Sequence, residues 1–258
     1  MTLDNEYKGK DGFLYCKKCG KKRETEVEFD GKKKRLRCAC ECVLAERKAI
    51  AEREREKTLQ KRREACFEKS VLACWTFEND DESLPQITNA MKNYAEKFPE
   101  FAKDGKGIML YGPCGTGKTF YAACVANTLI EKGYKVKMTN FAKIANDLQG
   151  RYDGREEYLQ SLNKCDLLVL DDLGAERKSD YMQEIVFSVI DSRYRSGKPM
   201  IITTNLSGSE IKNPETLGTT RIYDRLLEKC FPIEVAGTSK RRKKLKDTYE
   251  STKRMLGL

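Results

Sequence analysis

The chain has 258 residues, 35% of them charged and 39% hydrophobic, with a formal net charge of +10, eleven cysteines and no histidine. Without histidine, His-based triads and His-containing zinc sites are excluded, and an odd number of mostly dispersed cysteines argues against a secreted disulfide framework. No apolar run approaches the roughly 20 residues needed to cross a bilayer, and no apolar signal segment follows Met1, so a cytoplasmic protein with no membrane partner is expected. The basic excess lies at the ends: residues 1–66 carry +7, residues 67–236 carry −3 and residues 237–258 carry +6. Such ends suit a polyanion, nucleic acid first among them; solvated basic tails are the plainer alternative.

Five cysteines open the chain: Cys16, Cys19, Cys38, Cys40 and Cys42, spaced C-x2-C, eighteen residues, then C-x-C-x-C. Between them Val27 and Phe29 alternate with charged residues, and Asp30-Gly31 predicts a small hairpin. Four thiolates suffice for tetrahedral Zn²⁺ and would give about 30 residues a core that they could not otherwise build. Cys16, Cys19, Cys38 and Cys40 are the expected ligands, with Cys42 as the substitute. An iron–sulfur cluster fits less well, because the spacing is not that of a ferredoxin. Residues 43–66 lack Gly and Pro and are rich in helix formers, with Glu52–Arg55 and Glu54–Lys57 at i,i+3 spacing. No large apolar residue occurs from Glu52 to Thr58, which predicts an exposed helix serving as linker or docking arm. The expected division is a Cys-rich zinc-binding module (1–45), a charged helical linker (46–68) and a nucleotide-binding domain with a basic tail (69–258).

Trp75 and Phe77 precede the polar run Asn79-Asp80-Asp81-Glu82. From Pro85 a helical pattern places Ile87, Met91, Tyr94, Ala95 and Phe98 on one side. This lead-in would either cover a nucleotide base or simply pack. Gly107–Thr119 then reads GIMLYGPCGTGKT, an apolar strand followed by G-x-x-x-x-G-K-[ST], with Ala122, Val125, Ala126 and Leu129 at helical spacing behind it. Strand, glycine loop and helix is the setting that a phosphate-binding loop requires. Gly112, Pro113, Cys114, Gly115, Thr116, Gly117, Lys118, Thr119 and Phe120 are its expected residues. Glycines let the backbone turn its N–H groups towards phosphate oxygens, and the helix N-terminus adds its positive end. Lys118 can reach the β- and γ-phosphates, and the Thr119 hydroxyl can sit on Mg²⁺.

Further on, Tyr134–Thr139 reads as a strand and Phe141–Leu148 as a helix. The polar stretch Gln149–Tyr158 reads as a surface loop or a DNA contact. Asp166–Gly174, DLLVLDDLG, is the pattern of a buried parallel strand meeting its ligand at its carboxyl end. Asp171 would hold the Mg²⁺ shell, and Asp172 could polarise an attacking water. Tyr181–Tyr194 is predicted helical, with Ile185, Val186, Val189 and Ile190 inward. The strand Met200–Ile202 runs into Asn205, whose amide would orient water if the strands are neighbours, or else cap a turn. In the helix Thr219–Lys229, Arg221 and Arg225 share a face suited to a phosphate. Phe231–Val235 is a last strand before the basic tail. The whole is an α/β fold around a parallel sheet of about five strands.

GPCGTGKT, LLVLDDLGAER, GKPMIITTNLS, RIYDRLLE and the late SKR together resemble the DnaC/DnaI-type replicative helicase loaders, and also the related IstB-like transposition ATPases, all of the AAA+ superfamily. The resemblance covers about residues 70–245. It implies an AAA+ P-loop NTPase core in which Gly112–Thr119 is Walker A, Asp171 and Asp172 are Walker B, and Asn205 is sensor 1. It further implies that Arg225 is an arginine finger acting on ATP in a neighbouring subunit, and that Arg241 is sensor 2. The implied function is ATP-dependent loading of the replicative DNA helicase onto single-stranded DNA, with self-association through the ATP site. The N-terminal module and charged arm resemble those of phage and Gram-positive loaders, which implies that they grip the helicase. Two departures matter. The second acid is Asp172 where AAA+ proteins usually have Glu, so slow hydrolysis is expected, and little chain follows residue 236 for a full helical lid. The rivals are a transposition helper on duplex DNA, a nucleotide-switched adaptor that scarcely hydrolyses ATP, and a small-molecule kinase. The last is weakened because Arg225 and Asn205 would lack roles.

Overall fold

The computed structural model describes residues 5–149, 154–175 and 179–258. It divides into two compact units, the first ending at Gln60 and the second starting at Lys61. The first unit holds two antiparallel hairpins, β1 (Glu6–Lys8) with β2 (Leu14–Cys16), and β3 (Glu24–Phe29) with β4 (Lys32–Arg37). Asp30 and Gly31 both have positive φ, 53° and 69°, as the two-residue turn read from Asp-Gly requires. The helix α1 (Glu41–Phe67) is exposed from Ala45 to Thr58, as its composition predicts. It ends within the second unit, where Cys66 and Phe67 are buried.

The second unit is built on a sheet of β5 (Gly107–Tyr111), β6 (Val136–Asn140), β7 (Leu167–Leu173), β8 (Met200–Thr204) and β9 (Cys230–Glu234), all parallel, in the order β6-β7-β8-β5-β9. The helices are α2 (Pro85–Glu96), α3 (Phe98–Lys103), α4 (Lys118–Glu131), α5 (Phe141–Gln149), α6 (Arg155–Leu162), α7 (Asp180–Arg195), α8 (Gly208–Lys212), α9 (Leu217–Lys229) and α10 (Lys240–Met255). Because helices cover both faces of such a sheet, its strands read as continuous apolar runs. Leu167–Leu170 and Ile201–Ile202 are accordingly buried throughout.

Three local expectations change. The helix read through Phe98 breaks after Glu96 and restarts as α3, with Pro99 in its first turn. Of the polar stretch Gln149–Tyr158, residues 155–158 open α6 rather than a loop, and residues 150–153 lie outside the described residues. The basic tail is the helix α10. Among the described residues, no helix is long and apolar enough to cross a membrane.

Two features fix the edge of the sheet where β5, β7 and β8 begin. Arg193 on α7 is fully buried and donates to the carbonyls of Cys165 (3.1 Å), Asp166 (3.0 Å) and Pro199 (2.6 Å), meeting acceptors just before β7 and β8. Gly107 lets β5 approach β8 so closely that an added Cβ would stand 1.9 Å from the Met200 carbonyl oxygen. Relieving that overlap must move backbone. Gly107→Ala is therefore expected to lower the unfolding free energy by about 1–3 kcal/mol, read from urea denaturation; unchanged stability would contradict this packing.

Candidate functional site

The strand β5 delivers its chain directly into the glycine loop. Gly112, Gly115 and Gly117 have φ of 128°, 84° and 109°, conformations that side chains rarely adopt. The loop closes around its own lysine. Lys118 Nζ donates to the carbonyls of Gly112 (2.8 Å) and Pro113 (2.7 Å), and the Thr116 hydroxyl donates to Pro113 O at 3.0 Å. Burial pushes the Lys118 pKa down from its ordinary value. Pro113 and Cys114 are exposed at the mouth, and the Phe120 ring meets Trp75 with centroids 5.9 Å apart.

The acids stand opposite, at the carboxyl end of β7. Asp171 Oδ1 accepts from the Thr119 hydroxyl at 2.9 Å and from the Thr203 hydroxyl at 2.6 Å. Burial raises the Asp171 pKa, and those two hydrogen bonds oppose the rise. The β7–β8 register shifts between Leu170 and Leu173, and Asp172 has φ of 57°. That kink sends its backbone N–H to Thr203 Oγ1 at 2.8 Å, while its carboxylate accepts from Asn205 Nδ2 at 3.3 Å. Thr119, Asp171, Asp172 and Asn205 thus converge. The sequence reading missed Thr203, which joins both aspartates from β8; the signal was the Thr203-Thr204 pair that ends an aliphatic strand just before Asn205. The hard oxygens of Thr119 and Asp171 fit Mg²⁺.

The arginines are placed differently. Arg225 on α9 donates through Nε to Asp191 Oδ1 of α7 at 2.9 Å, and its guanidinium lies 4.9 Å from the Phe187 ring centroid. Within this chain its charge is met by Asp191, not held free beside Arg221 for a phosphate. Arg241 lies on α10, which is docked on the phosphate loop: the Lys240 backbone N–H donates to Gly115 O at 3.0 Å. An added Cβ on Gly115 would stand 2.2 Å from Ser239 Oγ. Arg241 is exposed, and its charge contributes to the depression of Lys118. Lys240 Nζ meets Asp81 Oδ1 at 2.7 Å and lies 4.0 Å from Asp80 Oδ1, holding the Asp81 carboxyl below its usual range. Asp80 in turn accepts from Thr88 and from the Tyr121 hydroxyl. The polar run of the lead-in is therefore a clasp between α2, α4 and α10. Its companion is buried Asn127 on α4, which donates to the carbonyls of Leu72 (3.0 Å) and Trp75 (2.9 Å).

In the first unit the thiols of Cys16, Cys19, Cys40 and Cys42 lie within 4.8 Å of one another, close enough to share one metal ion. Cys42 Sγ is 3.3 Å from Cys16, 3.1 Å from Cys40 and 3.5 Å from Cys19. This corrects the expected quartet: Cys38 is outside it and Cys42 is inside. Cys38 prolongs the strand pairing through its N–H to Arg23 O at 2.8 Å, which turns its thiol to Lys22 O at 3.4 Å. Cys42 sits in the first turn of α1, and that turn folds it back over Cys40. Four cysteine thiols gathered at one point are a donor set that suits zinc.

A family model described as IstB-like ATP binding protein matches residues 34–248. The replicative helicase loader DnaI of Bacillus subtilis (strain 168) is 29% identical over an alignment of 185 positions, which covers 64% of this chain and 58% of that protein. A Sinorhizobium fredii protein named as an insertion sequence ATP-binding protein is 30% identical over 166 residues, 63% of this chain and 55% of its own. Both matches span less than two thirds of the relative's own length. The crystal structure of the DnaC helicase loader, 24% identical, superposes with a TM-score of 0.54, covering 64% of this chain and 98% of that one, and shares its fold. The family match takes in the whole nucleotide site, from the phosphate loop to Arg241, and on that extent the chain belongs to the IstB-like ATP-binding protein family.

Proposed function

We propose that the chain is an ATP-driven loader that binds a replicative DNA helicase and places it on single-stranded DNA. One observation carries this reading beyond ATP binding. The phosphate loop is hydrogen-bonded to the first residue of the basic helix α10, which supports a link between nucleotide in the loop and the seating of that helix. The likeness to proteins named replicative helicase loaders supports the choice of partner.

In this reading Lys118 leaves the carbonyls of Gly112 and Pro113 to meet the β- and γ-phosphates. Thr119 and Asp171 hold Mg²⁺, which neutralises phosphate charge when bound. Asp172, steadied by Asn205, polarises the attacking water; its short side chain makes hydrolysis slow. Arg225 exchanges Asp191 for the phosphates of a neighbouring copy, which ties assembly to ATP. Arg241 and the rest of α10 report the occupied state to single-stranded DNA. The four-cysteine module, closed by Zn²⁺, grips the helicase. The insertion-sequence relative favours a second reading, a transposition helper acting on duplex DNA.

The cognate helicase should be co-purified by the chain in ATP, less in ADP, and not by Lys118→Ala in ATP. Recovery of no helicase in any nucleotide state would sink the loader reading, and preference for duplex DNA with a transposase would favour the second. Thr203→Val should lower Mg²⁺-dependent ATP turnover about 10- to 100-fold, as loss of a group supporting a metal ligand does, while ATP binding persists in equilibrium titration; full turnover would remove Thr203 from the site. Cys42→Ser should strip zinc from the purified protein, measured by atomic absorption, whereas Cys38→Ser should retain it. The reverse pattern would restore Cys38 as the ligand.

A further inference from the structure

Lys240 is attached twice to the wall of the phosphate loop. Its backbone N–H donates to Gly115 O at 3.0 Å, and its side chain lies over Gly117, where an added Cβ would stand 3.8 Å from Cε and 3.9 Å from Nζ. From there Nζ reaches across to the lead-in, 2.7 Å from Asp81 Oδ1 and 4.0 Å from Asp80 Oδ1. Both acids are held ready for it. Asp81 Oδ1 also accepts from the Ser83 N–H at 3.2 Å, in a turn that keeps Glu82 at a φ of 54°, a conformation uncommon outside glycine. The Asp80 side chain is 2% exposed and accepts from the hydroxyls of Thr88 and Tyr121. A buried carboxylate met by hydroxyls alone is costly, and a cation beside it lowers that cost. Lys240 supplies that cation from 159 residues beyond Asp81.

One ammonium group thus joins the lead-in, the phosphate loop and α10 beside the residues suited to grip phosphate. From this junction we infer that Lys240 and Asp81 form a strap on the nucleotide site that governs how fast a nucleoside di- or triphosphate is released. Lys240 is a positioning residue here. It acts through the loop wall and the lead-in, not on the reacting atoms. With the strap closed, the first turn of α10 is seated on Gly115 and the lead-in is drawn to the loop. Opening it requires the ammonium to leave both acids. The strap is also weak enough to open, because the Asp81 side chain is 55% exposed and that of Lys240 27%, and water and salt compete for such a pair. The inference rests on the ATP binding that belongs to the chain's family and not on the identity of any partner.

The test uses the full chain with Mg²⁺ and ADP carrying a fluorescent N-methylanthraniloyl group, displaced by excess unlabelled ADP in a stopped-flow mixer. Lys240→Met, which keeps the side chain's stem without its charge, and Asp81→Asn should each release the labelled ADP about three- to tenfold faster than wild type, the size that a part-exposed, charge-assisted contact carries. Lys240→Arg should restore most of the wild-type rate, which a loss of packing alone would not explain. Lys240→Met/Asp81→Asn should be no faster than Lys240→Met, since the two residues share one contact. Added salt should speed release from wild type more than from Lys240→Met. Wild-type release rates in both single variants overturn the strap. Fast release from Lys240→Met with a wild-type rate for Asp81→Asn also overturns it, and makes Asp80 or the nucleotide itself the partner of Lys240. Should Lys240→Met fail to fold, the exposed Asp81→Asn variant decides alone. Failure of the wild type to bind labelled ADP overturns nucleotide binding and the strap together.

Discussion

One carboxylate oxygen holds the nucleotide site together. Asp171 Oδ1 accepts hydroxyls from Thr119, at the start of α4, and from Thr203, near the end of β8. The phosphate loop, the central strand β7 and its neighbour β8 meet at that atom. A buried carboxylate beside another acid is costly, and burial raises the Asp171 pKa accordingly. The two hydroxyls offset part of that cost and fix the carboxylate's direction. What they do not supply is positive charge, since Lys118 is drawn onto the carbonyls of its own loop. The site is therefore arranged to gain from a divalent cation, which would meet the acids.

The same economy of elements shows at the C-terminal end of the chain. There α10 lies with its first turn against Gly115, and Lys240 reaches the lead-in at Asp81. A glycine is required at position 115 for two reasons, its positive φ and the approach of Ser239. The loop's conformation and the seating of the basic helix are thus one constraint.

The core of the site was legible in the sequence because its signals are local. A strand of four apolar residues ending in Gly112, another ending in Asp171-Asp172 and a third ending near Asn205 declare buried parallel strands, and parallel strands bring their carboxyl ends together. The residues that escaped notice act across long sequence separations. Thr203 reads as part of a β-rich run until β7 lies beside it. Asp81 reads as one acid among several until Lys240, from the far end of the chain, meets it. Arg225 is expected by resemblance alone to act on another subunit, and nothing local announces that Asp191 meets it in its own chain. The cysteine quartet failed at one position for a similar reason. Spacing alone cannot tell whether Cys38 continues a strand or turns inward; the helix beginning at Glu41 decides it.

The first unit shows why a module so poor in buried hydrocarbon can leave hydrocarbon exposed. Among its described residues the buried side chains are Glu6, Cys16 and Cys40, not a set of aliphatic ones. Its interior is organised by sulfur and by charge: four thiols at one point, and Glu6 between Arg23 and Arg37 at 3.3 and 3.2 Å. Removing one partner of a buried ion pair leaves the other charge uncompensated, so these contacts hold the module's geometry. With geometry fixed in that way, Val27, Phe29 and Leu36 are not needed inside. In a conventional small domain those three would have been the core. Holding the module by thiols and ion pairs leaves them at the surface.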